Sequence, residues 1–181
     1  MNIGFDLDKV LIDYPPFVSP KIIDRLYKKK DNGVLIYKIP GYPEQVIRRL
    51  SHLSILRPPI KKNMNFLKSI SKEKNKLYLI SSRFNFLKSR TAKLVKRHGL
   101  DKVFDATYFN FKNDQPHIFK NGIIKKLKLD IYVDDDLSLL KHVAANNLKT
   151  KFFWLNDLGL DKKISKNISA ISNIESMLQK K

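Results

Sequence analysis

The chain has 181 residues, enough for one domain with a real core or one domain carrying a modest insertion. Hydrophobic residues make up 43% of it, which excludes a disordered protein, and the absence of cysteine removes disulfides, thiolate metal ligands and cysteine nucleophiles together. Lys and Arg total 36 against 17 acids, a net charge of +19 that favours polyanionic partners, nucleic acid and phosphorylated small molecules among them. The lysines are scattered, however, and outnumber the arginines, the residue that grips phosphate bidentately. No apolar run approaches the roughly 20 residues that span a bilayer. No basic, apolar and small-residue regions in series open the chain, so a signal peptide is not expected and a cytoplasmic location is.

Ile3, Phe5 and Leu7, continued by Val10, Leu11 and Ile12, predict a buried strand of a parallel sheet at the very start. Asp6 and Asp8 interrupt it. Unpaired carboxylates are costly inside such a strand, so they are expected at its carboxyl end, where ligands bind in open α/β sheets. Asp13-Tyr14-Pro15-Pro16 then breaks regular structure, and Ser19-Pro20 reads as a helix start with Ile22, Ile23, Leu26 and Tyr27 on one face. Residues 34–40 read equally as extended segment or loop. A further helix is expected over residues 43–53 with Val46, Ile47 and Leu50 inward, and Arg57-Pro58-Pro59 reads as a hinge.

From there helix and strand alternate. Helices are expected over residues 60–70, 84–98, 117–127 and 137–146, and strands over 77–80, 103–111, 131–133 and 152–155. The tail, residues 164–178, is expected to be one more helix. Such alternation implies a parallel sheet with crossover helices. The strand at 77–80 runs into Ser81-Ser82-Arg83, and the one at 131–133 into Asp134-Asp135-Asp136. Three apolar strands thus end in groups able to hold a metal ion and a phosphate.

On these residues the chain resembles the haloacid dehalogenase (HAD) superfamily of phosphohydrolases. Asp6-Leu7-Asp8-Lys9-Val10 matches the family's first motif, Ser81 after its strand the second, and Asp134-Asp135 the fourth; the third is a lone Lys upstream of the fourth. The resemblance covers residues 1–14 and 60–156. It implies a Rossmann-like three-layer α/β/α sandwich over residues 1–14 and 58–181, with a small helical cap of the C1 type inserted at 15–57. It further implies that Asp6 is the nucleophile and a metal ligand, and that Asp8 is the general acid/base whose backbone carbonyl reaches the metal. The acidic pair would complete a Mg²⁺ site, and Ser81, with Ser82 and Arg83 nearby, would bind the phosphate. Lys120, 14 residues before Asp134, is the preferred third-motif lysine, with Lys125 and Lys112 as alternatives.

The residue types agree with that chemistry. Carboxylates without thiolate or imidazole suit Mg²⁺ rather than zinc. Asp6 must be ionised to attack, so a metal and a lysine are expected to hold its pKa down, whereas Asp8 must carry a proton and is expected near other negative charge. Ser82 fits the N-cap of the next helix better than Ser81 does. Arg83 reads as solvent-facing more readily than substrate-facing, as do Arg48, Arg49 and Arg57. Lys9, where many relatives carry Gly, would narrow the entrance. The implied activity is hydrolysis of a phosphomonoester, a nucleotide or another small metabolite. The alternatives are a phosphatase of nucleic-acid ends and a non-catalytic HAD-like module that binds nucleic acid.

Overall fold

The computed structural model describes residues 1–15, 28–31, 34–71 and 73–179. Six strands, β1 (Asn2–Phe5), β4 (Lys76–Ser81), β5 (Ala106–Phe109), β6 (Ile131–Asp134), β7 (Lys151–Leu155) and β8 (Ile168–Ile171), form one parallel sheet in the order β5-β4-β1-β6-β7-β8. The chain moves outward from β1 first on one side and then on the other, which leaves a crevice at the carboxyl ends of β1, β4 and β6.

Strand alternation divides the core into two faces. Ile3, Phe5, Leu77, Leu79, Ile131 and Val133 pack on one side with Met64, Leu67 and Ile70 of α2 (Lys61–Ile70) and Leu94 and Val95 of α3 (Lys88–Arg97). Ile80, Tyr132 and Phe152 pack on the other with Ile124 of α4 (Pro116–Leu127) and Leu139, Leu140 and Val143 of α5 (Leu137–Ala145). This is the three-layer α/β/α sandwich. Gly4 belongs to the second face, where a Cβ would lie 2.5 Å from Leu129 Cδ1 and 2.9 Å from the Tyr132 ring. Only glycine lets that ring settle over β1.

Between β1 and α2 the chain carries a hairpin, β2 (Lys28–Asp31) paired antiparallel with β3 (Val34–Tyr37), and a helix α1 (Tyr42–Ser51). The inserted segment is therefore not purely helical. The helix start expected at Ser19-Pro20, with its face from Ile22 to Tyr27, lies outside the described residues. The face assigned to α1 is also corrected: Val46, Ile47 and Leu50 are exposed, and Arg48 is buried instead, ion-paired with Glu44 one turn earlier. A paired guanidinium with a long alkyl stem covers apolar surface without leaving a bare charge.

Two other readings change. The tail is a strand followed by a short helix, β8 and α6 (Ser176–Gln179), because its alternating Ile168-Ser169-Ala170 completes the sheet edge beside β7. The helix expected from Phe84 begins as a 3₁₀ turn at Asn85–Leu87 and becomes α-helical only at Lys88. Ser82 therefore caps neither element. No helix among the described residues is long and apolar enough to cross a membrane.

Candidate active site

The carboxyl ends of the three central strands meet. Asp6 follows β1, and its backbone N–H donates to Val133 of β6 at 2.9 Å, which sets it beside Asp134. Lys120, one turn into α4, reaches into the gap and donates at 2.7 Å to both Asp6 Oδ1 and Asp134 Oδ2. Tyr132, two residues before Asp134 and on the same face, donates its hydroxyl to Asp134 Oδ2 at 2.9 Å. All four side chains are buried. Lys112 and Lys125, the alternative lysines, are exposed.

The three acids at 134–136 have separate tasks. Oxygens of Asp6, Asp134 and Asp135 lie within 4.8 Å of one another. Asp136 is the N-cap of α5, accepting from Ser138 and Leu139 N–H at 3.0 and 3.1 Å, and it also accepts from the Tyr37 hydroxyl at 2.7 Å. Trp154 on β7 fixes the loop from beneath, donating its indole N–H to the Asp135 carbonyl at 2.9 Å.

The all-oxygen donor set fits a hard divalent cation. Its electrostatics fit one too. Burial pushes the Asp6 carboxyl up to about 7, against the opposing pull of Lys120, and burial together with Asp134 and Asp6 holds the Asp135 carboxyl well above the usual carboxylate range. Lys120 without the expected metal does not hold Asp6 down: desolvation outweighs one ammonium shared between two acids. A cation on this cluster would offset the crowded negative charge.

Asp8 departs further from expectation. It sits between two buried arginines: Arg83 grips it with Nε to Oδ2 at 2.9 Å and Nη2 to Oδ1 at 2.7 Å, and Arg57 donates its Nη2 to the same Oδ1. Burial alone would raise the Asp8 carboxyl, but Arg83 and Arg57 hold it well below the usual range. Neither arginine faces solvent; both are at most 5% exposed. Arg49, by contrast, donates to the Phe86 carbonyl at 3.3 Å.

His52, at the end of α1, lies in the same field. Burial first, then Arg83 and Arg57, push its pKa from 6.5 down to about 3, with Asp8 opposing and its Nδ1–H donated to the Arg48 carbonyl at 2.7 Å. Folding therefore holds this ring neutral while the unfolded chain protonates it near pH 6.5. Stability contributed by the neutral ring is complete above that pH and is lost as pH falls toward 3. Urea melts from pH 7 to pH 5 should show stability dropping by up to about 1.4 kcal/mol per pH unit more steeply in the parent than in His52→Gln.

Ser81 ends β4 fully buried, and the Ser82 hydroxyl is buried without a hydrogen-bond partner among the described residues. Lys9 adopts a left-handed φ of 60°, the conformation that glycine accepts most easily. Its ammonium is drawn to Asp13 at 3.0 Å and Asp157 at 3.3 Å, so it straps the turn after β1 to the loop after β7. Sequence reading missed Tyr132, Tyr37 and Trp154 as parts of the site. Tyr132 was accessible through its two-residue spacing from Asp134; Tyr37 and Trp154 carry no local signal.

A parallel sheet switching direction at β1, with acids closing β1 and β6 and a serine closing β4, is the fold of the haloacid dehalogenase-like hydrolases. Solved structures agree. A candidate haloacid dehalogenase-like hydrolase from Bacteroides fragilis superposes with a TM-score of 0.63 at 14% identity, over 97% of this chain and 98% of that one. A candidate beta-phosphoglucomutase from Thermotoga maritima gives 0.62 at 16%, over 98% and 96%. The D,D-heptose 1,7-bisphosphate phosphatase of B. bronchiseptica, solved with magnesium and phosphate, gives 0.53 at 10%, with both chains covered fully. No family model matches the sequence, and no curated protein does.

Proposed function

We propose that the protein is a Mg²⁺-dependent phosphomonoester hydrolase acting through an aspartyl phosphate on a small phosphorylated metabolite, nucleotides included. The observation that carries this reading is the Asp6–Lys120–Asp134 cluster, with Asp8 two residues from the nucleophile. The heptose bisphosphate phosphatase with magnesium and phosphate adds support through its shared fold.

Asp6, with Asp134, Asp135 and the Asp8 carbonyl, would hold the cation, which when bound supplies charge neutralisation at the phosphate. An Asp6 carboxylate oxygen forms the bond to phosphorus as the bond to the leaving oxygen breaks. Asp8 gives the leaving oxygen a proton and recovers one from the water that later hydrolyses the acyl phosphate. The two guanidinium groups favour its ionised form, so the proton it gives would have to be taken up once the negative phosphate is bound beside it. Lys120 keeps the acids together, and Ser81 and Ser82 face the phosphoryl oxygens. The Ser82 hydroxyl, without a hydrogen-bond partner among the described residues, suits that contact. Residues 15–57 act as the cap over this site.

Phosphate release from p-nitrophenyl phosphate, nucleoside monophosphates, sugar phosphates and end-phosphorylated oligonucleotides tests the reading. Turnover should require Mg²⁺ and vanish with EDTA. Metal-independent turnover, or none on any substrate, would reject it. Preference for oligonucleotides would redirect the net charge of +19 to nucleic-acid ends.

A further inference from the structure

We propose that the β5 edge of the sheet, with the helices that flank it, is a binding face for single-stranded nucleic acid. The inference goes beyond the phosphatase reading and stands without it, since such binding needs neither Mg²⁺ nor turnover.

The ten positions of α3 hold five basic residues and no acid, and residues 82–128 together hold 12 Lys and Arg against three acids. Arg83 and Lys120 are taken up inside the candidate active site. The other ten make no ion pair among the described residues, and nine of them are exposed. Helix stability does not account for them. Lys88 stands at the positive end of the α3 dipole, and Lys93 has Lys96 and Arg97 at the i+3 and i+4 spacings where like charges repel. An acid at any of these places would serve the helix better.

Aromatic rings are interleaved with the cations at the same edge. β5 ends the sheet and pairs with β4 alone. The Lys88 ammonium lies 5.6 Å from the Phe111 ring centre, and Lys126 of α4, on the other face, lies 6.0 Å from that of Tyr108. Phe109 stacks on Phe111 with centres 5.4 Å apart and planes 20° apart. All three rings are half-buried, so each keeps part of its surface in solvent.

Lysines alone would suit any polyanion, a lipid surface included. Rings beside them suit unpaired bases, which stack on aromatic faces while the cations follow the phosphates. Lysine meets phosphate as a point charge, so the contact carries no sequence preference. The place fits as well. Phe109 lies opposite Ser81 in the β4–β5 register, and Asn110 N–H donates to the Ser81 carbonyl at 3.2 Å. A strand lying along this edge therefore runs to the border of the candidate active site.

The test is fluorescence anisotropy of a labelled oligothymidylate of about 12 nucleotides, without a terminal phosphate, titrated with the full chain in EDTA. We expect binding at about 50 mM salt that weakens with a log–log slope of about −0.7 per phosphate neutralised. Lys88→Gln, Lys93→Gln and Lys96→Gln together should weaken it by about tenfold or more and flatten the slope by about two. Glutamine keeps the helix propensity and relieves like-charge repulsion, so the melting temperature should not fall. Phe111→Leu should weaken binding by about fivefold or more at unchanged slope. Lys149, Lys151 and Lys166, exposed near β7 and β8, serve as the control, and Gln at all three should cost less than about twofold. Equal losses in the two triple variants would make binding a matter of net charge and overturn the proposal. So would unchanged binding by Phe111→Leu, no binding at low salt, tighter binding of a duplex than of the strand, or a preference for phosphatidylserine vesicles over the oligonucleotide. A chain inactive as a phosphatase would leave the proposal standing.

Discussion

Asp6→Asn should abolish turnover, by about 10⁴-fold or more, because an amide cannot form the acyl phosphate. It should do so without unfolding the protein. Asp6 is one of three acids whose oxygens crowd a buried space, and its carboxyl is pushed up to about 7. The amide keeps the shape, removes one buried charge, and leaves Lys120 its bond to Asp134 at 2.7 Å. A melting temperature equal to or above the parent's, together with lost phosphate release, is the expected pair of results. Retained turnover would require another nucleophile.

Lys120→Met is expected to act on stability first. It removes the ammonium that bonds both Asp6 and Asp134, and leaves buried carboxylates facing one another. Removing one partner of a buried ion pair costs about 3–5 kcal/mol. The apolar side chain of similar length fills the volume, so the loss is electrostatic. A divalent cation should therefore recover part of it by binding the folded form alone. Urea melts with Mg²⁺ and with EDTA should differ more in Lys120→Met than in the parent. Equal sensitivity to Mg²⁺ would mean that the acids do not share a cation site.

The parts of the site that follow one another along a strand were legible in the sequence. Asp6, Ser81 and Asp134 each end a short apolar run, and burial cost alone places such groups at strand ends. Lys120 was found through its order and distance from Asp134, not through any local pattern. What escaped depends on tertiary field. Arg57 and Arg83 look like surface residues until the turn after β1 offers them a carboxylate. The negative surroundings expected of Asp8 are two guanidinium groups instead, since the nearby charges and the depth of burial are not properties of a segment. The tail misled because its isoleucines suit either a helix face or a strand, and the open edge of β7 decided between them.

The paired main-chain bonds at residues 11–13 and 58–60 close the inserted segment at its own neck. A loop closed there makes its length nearly free to vary, since doubling the number of residues adds only about 0.6 kcal/mol of closure entropy. The segment is in this sense a replaceable module: a longer or shorter insertion could be grafted between residues 14 and 57 with the sheet undisturbed. Arg57 lies at the neck itself, so any graft that keeps the neck also keeps its bond to Asp8. The insertion could then diverge in length and sequence while the contact between Arg57 and Asp8 stays the same.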